Sequence, residues 1–234
     1  MALAQAGASC CLVVRPGKSA QENKSYLEAL PTDQGQQHCL LITDLGDMAE
    51  VKTAFDKALQ LPEMGGRIDI LVNCGGIQRR HDSTEFPEDD WDEVINVNLK
   101  SVFLLCQAAG RHMVPRRSGK IVNFCSLLSF QGGLRVPAYA ASKAAVSNIT
   151  KSLSNEWSQH NVQVNGIAPG YIATDMNEKL LSDATRLRQI TERIPAGRWG
   201  LPDDFAGPLL FLCSKASQYV CGETLVVDGG WMGR

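Results

Sequence analysis

Tyr139 and Lys143 stand four residues apart in a stretch rich in helix formers, AYAASKAAVSNITKSLSNEW, that follows Pro137. Residues at i and i+4 share a helix face, so the phenol and the ammonium can point into one pocket. A free phenol, with a pKa of about 10, is a poor base at neutral pH. A fixed ammonium beside it favours phenolate, and the expectation is a Tyr139 able to exchange protons near a pH of about 7. Ser126 ends the apolar run KIVNFCS, and a hydroxyl at a strand end can hydrogen-bond a substrate carbonyl or alcohol beside the phenol. The spacing is also served by an amphipathic pair at a helix edge, so the rest of the chain has to decide.

The elements that must position these groups alternate. Strand-like runs lie at 10–14, 37–43, 68–72, 120–125, 162–168 and 224–228, with helix-like stretches near 19–30, 47–61, 88–113, 137–158, 177–192 and 203–213. The strands are apolar without strict alternation, as expected when both faces are covered. The pattern predicts an α/β domain with a doubly wound, Rossmann-like parallel sheet spanning 1–234 as a single unit. The opening MALAQAGA reads as the last turns of a helix ending at Gly7. A dinucleotide binder of this class places a strand and a glycine-rich turn before that helix. The expectation is therefore a sheet lacking its first strand and glycine-rich turn.

A hydrophobic content of 44% supports a sizeable core, and a net charge of −2 without a basic run argues against nucleic acid. No apolar stretch approaches the roughly 20 residues of a membrane span, and the N-terminus lacks a basic leader. The eight cysteines form no C-x-x-C and the four histidines complete no zinc spacing, so no metal site is expected. Small core thiols in a reducing cytoplasm are the expectation, with Cys74 and Cys221, in loop-like contexts, the more reactive.

Further residues fall where such sheets bind ligands. Asn73-Cys74-Gly75-Gly76 follows the strand IDILV, Asp44 ends QHCLLITD, and Pro169-Gly170 closes VQVNGIA with Thr174 beyond it. Asn98 lies in the apolar helix VINVNLKSVFLL, where an amide needs a partner. Taken singly, the glycines serve as turn residues, Asp44 as a helix N-cap and Pro169-Gly170 as a breaker. Their order and spacing, with Ser126 and Tyr139 to Lys143, resemble the short-chain dehydrogenase/reductase family over essentially the whole chain. The runs LSFQGGLRVPAYAASK, NEWSQHNVQVNGIAPGYIATDMN, RIPAGRWGLPDD and VVDGGWMGR are similar to the branch that acts on deoxygluconates.

The resemblance implies an oxidoreductase moving a hydride between NAD or NADP and a secondary alcohol or ketone of a deoxy sugar acid. It implies that Tyr139 is the general acid/base, that Lys143 tunes it and holds the nicotinamide ribose, and that Ser126 positions the reacting oxygen. Asn98 would hold a water that relays protons to Lys143. Asp44 and Leu45 would meet the adenine, Asn73 and Gly75 the adenosine ribose, and Ile172 and Thr174, beyond Pro169 and Gly170, the carboxamide. Cys74 and Gly75 depart from the second Asn and the Ala of the family motif. Val14 stands where NAD-preferring members carry Asp, and Arg15 could meet a 2′-phosphate, so NADP is expected to be at least tolerated. Without its first strand and phosphate turn, the chain is expected to bind cofactor weakly or not at all.

A sugar acid needs a cation near Tyr139. Arg135 is favoured for the carboxylate, with Gln131 in the same loop; Arg79, Arg80 and Arg198 are other choices, and each also serves as a surface brace. Apolar residues on two faces of the helices around Asn98 and after Tyr139 (Val97, Val102, Phe103, Leu104; Ala144, Val146, Ile149, Leu153) fit the homotetramer or homodimer interface the resemblance implies. Burial within the monomer serves them as well. A 3-oxoacyl-carrier-protein reductase and a non-catalytic binding or regulatory protein are the competing expectations.

Overall fold

The structure is a computed structural model describing residues 1–234, apart from the side chains of residues 18–20, 23 and 179. In chain order its elements are α1 (Ala2–Gln5), β1 (Cys10–Val14), α2 (Lys18–Glu28), β2 (His38–Ile42), α3 (Met48–Gln60), β3 (Ile70–Asn73), α4 (Glu88–Ile95), α5 (Ser101–Arg116) and β4 (Gly119–Phe124). Then come α6 (Pro137–Trp157), β5 (Val162–Pro169), α7 (Glu178–Leu181), α8 (Ala184–Arg193), α9 (Ala206–Cys213) and β6 (Thr224–Val227).

All strand pairs are parallel. β3, β4, β5 and β6 form one sheet in that order, and β1 pairs with β2 in a separate ribbon. Alternate residues of the middle strands reach opposite layers. Ile121, Val162, Val164 and Ala168 meet Val102, Cys106, Ala109 and Met113 of α5 and Val146 and Leu153 of α6. Val122 and Ile167 meet Phe205 and Leu212 on the other side. Burial on both faces is why these strands read as continuous apolar runs.

Between β1 and β3, among the described residues, no strand lies. A cavity of about 780 Å³ occupies that slot, walled by β1 and β3 and by Phe55 and Ala58 of α3 and Val102 of α5. Each of the two strands is thus paired on one side only. The expected gap in the sheet is therefore an internal slot, lined by apolar side chains, that leaves one backbone edge of each strand without a ladder partner.

Two helical stretches differ from the sequence reading. The stretch from 88 is one continuous rod in the sequence pattern, but a π-turn, Asn96–Lys100, divides α4 from α5. The extra residue in this turn re-aims Asn98, which no hydrophobic spacing announces. The stretch 177–192 is two helices, because Asp183 caps a new one, its carboxylate accepting from the N–H groups of Thr185 and Arg186. Asp44 is not the cap of α3; Asp47 is, accepting from Ala49 N–H at 2.7 Å, while Asp44 accepts from Gly46 N–H at 2.8 Å in a local turn.

Candidate active site

β4 delivers the chain to Ser126, whose hydroxyl accepts from Leu128 N–H at 3.1 Å and starts a short 3-10 turn, Leu127–Ser129. Ser129 Oγ accepts from Ser126 N–H at 3.3 Å and donates to the Lys143 carbonyl at 2.7 Å, tying this turn to the middle of α6. Pro137 opens α6 where a missing N–H leaves no helical bond unmade. Two residues later Tyr139 faces the cavity, with Lys143 one turn further on. Ser142 Oγ donates to the Tyr139 carbonyl at 2.8 Å and accepts from Asn98 Nδ2 at 3.3 Å.

These groups line a cavity of about 930 Å³. Ser126, Tyr139, Lys143 and Gln131 form part of its wall, and Pro169, Gly170, Ile172 and Thr174, which follow β5, form another part. Glycine is required at 170, since a Cβ there would lie 2.6 Å from Asp228 Cα. At Gly76 a Cβ would reach 3.2 Å from Asn98 Oδ1 and 3.7 Å from Lys143 Nζ, so the loop after β3 approaches the lysine closely. Lys143 is buried and donates from Nζ to the Phe124 carbonyl at 2.6 Å, with the Tyr139 ring centre 5.8 Å away.

The electrostatics differ from the sequence expectation. Burial raises the Tyr139 phenol above its ordinary 10, and the nearby Cys125 adds to the rise. The opposing influence is the hydrogen bond with Ser126, not the ammonium. Lys143 is itself lowered by burial, partly offset by Cys125 and Cys74. Desolvation disfavours the charged form of each group, so the phenol is held protonated and ready to donate.

Several predicted residues lie off this cavity. Arg135 is one: its Nε sits 2.9 Å from Asp82 Oδ1, its φ is +65°, and its side chain is committed to that surface pair. Asn73 is buried and donates to Asn123 Oδ1 at 2.8 Å; Asn123 in turn donates to Thr150 Oγ1 at 3.0 Å. Its amide therefore braces β3, β4 and α6 and is not presented to a ribose. Asn98 accepts from Ile77 N–H and donates to the Ile77 carbonyl, both at 2.8 Å, which clamps the loop after β3. Gly75 and Leu45 line the slot instead, and a Cβ on Gly75 would meet Leu45 Cδ1 at 2.6 Å. Arg15 and Asp44 are exposed and follow the adjacent carboxyl ends of β1 and β2, where Val14 pairs with Ile42.

The cavity wall also holds residues that sequence reasoning passed over: Tyr171, Trp231, Arg186 and Arg193. The run VVDGGWMGR contains Trp231, but nothing in the spacing joins it to an arginine 38 positions earlier. Among the described residues no cluster of His, Cys, Asp and Glu could hold a metal ion, and no helix is long and apolar enough to cross a membrane.

The fit to a nicotinamide cofactor divides in two. Tyr139, Lys143, Ile172 and Thr174 bring polar groups and an apolar wall to one cavity, with Gly76 and Gly170 leaving room for close approach. That suits a nicotinamide and its ribose. Among the described residues no glycine-rich strand-to-helix turn opens onto the cavity to meet a pyrophosphate.

Comparison with known proteins accords with this geometry. The family described as enoyl-(acyl carrier protein) reductase matches residues 1–232. The 2-dehydro-3-deoxy-D-gluconate 5-dehydrogenase of Escherichia coli K12 is 47% identical over 235 residues, covering 100% of this chain and 90% of the relative. Its namesake in Bacillus subtilis is 47% identical over 234 residues, covering 100% and 89%. Among solved structures, a gluconate 5-dehydrogenase of Burkholderia cenocepacia J2315 in complex with NADP and tartrate superposes with a TM-score of 0.86 at 34% identity, covering 97% of this chain and 95% of that one. A structure from Agrobacterium tumefaciens with bound NADP gives a TM-score of 0.87 at 44% identity, covering 100% and 89%. With Ser126, Tyr139 and Lys143 gathered at the carboxyl ends of a parallel sheet, the chain belongs to the short-chain dehydrogenase/reductase family of nicotinamide-dependent oxidoreductases.

Proposed function

We propose that this protein interconverts a secondary alcohol and a ketone on a deoxy sugar acid, with NADP or NAD as the hydride partner. The observation that carries the reading is the meeting of Ser126, Tyr139 and Lys143 in one cavity with the Pro169–Thr174 segment. The nicotinamide, when bound, supplies or accepts the hydride. Tyr139 gives its phenolic proton to the substrate oxygen during reduction and takes it back during oxidation. Ser126 hydrogen-bonds the same oxygen and stabilises the charge that builds on it. Lys143 would hold the ribose hydroxyls, and Asn98, through a bound water, would pass protons to Lys143. Asn98 also fixes the loop at Gly76 and Ile77 beside that ammonium.

The 47% identity to 2-dehydro-3-deoxy-D-gluconate 5-dehydrogenases favours a sugar acid over an acyl chain on a carrier protein. The Burkholderia relative, solved in complex with NADP and tartrate, is a precedent for a small hydroxy acid in a complex with this cofactor. The adenine end would lie at the carboxyl ends of β1 and β2, where Asp44 and Leu45 follow one strand and Arg15 the other, and Arg15 favours a 2′-phosphate.

Phe103 on α5 and Ala144 on α6 stay exposed, whereas Val97, Val102, Val146 and Leu153 are used inside the chain. The exposed pair supports a homodimer or homotetramer through these helices. Eight free cysteines fit work in a reducing cytoplasm. The deciding experiment is an assay at millimolar cofactor with D-gluconate, 2-dehydro-3-deoxy-D-gluconate and acetoacetyl-carrier protein. Turnover of the sugar acids is expected, and turnover of the carrier substrate alone would refute the reading.

A further inference from the structure

The arginines around the cavity fall into two groups. Arg79, Arg135 and Arg198 each pair with a carboxylate, at 2.7 Å to Glu93, 2.9 Å to Asp82 and 2.7 Å to Asp204, and none of them lines the cavity. Arg80, Arg186 and Arg193 line it, and among the described residues none of the three has a carboxylate partner. Positive charge is thus neutralised outside the cavity and left available within it.

Arg193 is the one whose position is fixed. Its guanidinium carbon lies over the Trp231 ring, 3.9 Å from the ring centre. Trp231 is buried and packed against Tyr171 at 4.7 Å between ring centres. The same cluster holds Ile190 and Ile194, on either side of Arg193 in sequence, and Leu127, the residue after Ser126. One apolar core therefore ties the turn that begins at Ser126 to the part of the cavity wall that carries Arg193. A guanidinium held over an aromatic face by cation–π attraction keeps N–H groups for a planar, two-oxygen acceptor. Gln131 closes this corner, donating from Nε2 to Met232 Sδ beside Trp231 and keeping its amide oxygen for a hydroxyl.

We propose that Arg193, held on Trp231, is the specificity residue that binds the substrate's carboxylate, while the reacting carbon lies at Ser126 and Tyr139. The assignment deepens the sugar-acid reading and rests on it. It accounts for an exposed arginine set over a buried tryptophan, and it gives to Arg193 the role first expected of Arg135, whose side chain is paired with Asp82 outside the cavity wall.

Titration calorimetry with D-gluconate and with its neutral amide, D-gluconamide, tests the proposal without turnover. For Arg193→Gln, gluconate binding is expected to weaken at least about tenfold, the size of losing a charge-assisted hydrogen bond, with gluconamide binding unchanged. Arg193→Lys should restore part of the loss. In steady-state assays the substitution should raise KM for the acid and leave kcat and the KM for NADP near their starting values. If the original protein binds and oxidises gluconate and Arg193→Gln does so equally well, the subsite is wrong and the sugar-acid reading stands. If the original protein prefers gluconamide or a neutral polyol to gluconate, the sugar-acid reading is wrong, and the subsite falls with it.

Discussion

At the scale of single residues the chemistry turns on which proton state burial favours. Tyr139 is raised above its ordinary value by desolvation, so at neutral pH it carries its proton. Ketone reduction uses that protonated phenol and alcohol oxidation uses the phenolate. Below the phenol's pKa, oxidation is therefore expected to rise by about tenfold for each unit that pH increases, while reduction stays flat across the same range. Opposite profiles in initial-rate measurements would show the group to be acidified. Tyr139→Phe should lower kcat by about a hundredfold or more in both directions, with cofactor binding retained. Arg15 makes a different claim, on cofactor choice. Arg15→Ala should raise KM for NADP and leave KM for NAD unchanged, since only the phosphorylated ribose offers the guanidinium a dianion. Equal defects with both cofactors would remove Arg15 from the site.

Elements succeed here because polar side chains lock them together at a few points. Asn73, Asn123 and Thr150 form a buried amide-to-hydroxyl chain from β3 through β4 to α6. Replacing Asn123 with Leu strands the Asn73 amide and should cost about 1–3 kcal/mol in urea unfolding, with KM little changed. The strands carrying this chain are legible in the sequence because burial on both faces makes them unbroken apolar runs. Ser126, Tyr139 and Lys143 are legible too, since one strand end and one helical turn bring them together. Asn73 misleads, because its place at the carboxyl end of β3 suggests a ligand while its amide turns inward to Asn123. Arg135 misleads for a related reason: sequence proximity to Tyr139 does not reveal the carboxylate of Asp82, which holds it away. The joining of Arg193 to Trp231 depends on α8 folding back over the C-terminal segment, and local spacing carries no record of that. The π-turn at Asn96–Lys100 is equally silent, being a one-residue change of backbone pairing inside an ordinary helical pattern.

For the molecule as a whole, the slot between β1 and β3 divides regions of unequal stability. β4 and β5 are paired on both sides and almost wholly buried. β1 has one partner, and a two-stranded ribbon is marginal on its own. Its outer residues are also poorly covered, with Val13 46% and Ile42 55% exposed. Opening β1–β2 therefore breaks few contacts, whereas opening β4–β5 dismantles both apolar layers and exposes the core around Ile121, Val164 and Ile167. Protection from exchange follows the free energy of the smallest opening that frees an amide. Amides of Cys10–Val14 are thus expected to exchange at least about a hundredfold faster than those of Val162–Ile167, with Ile70–Asn73 between them because β3, though it has a free edge, is paired with the doubly paired β4. The same weak ribbon precedes Arg15, Asp44 and Leu45, so cofactor that reaches them should slow exchange in β1 and β2 more than in β5. Hydrogen exchange read by mass spectrometry, with and without NADP, separates the cases. Uniform protection across all six strands would show that the ribbon and the main sheet open as one unit despite the slot.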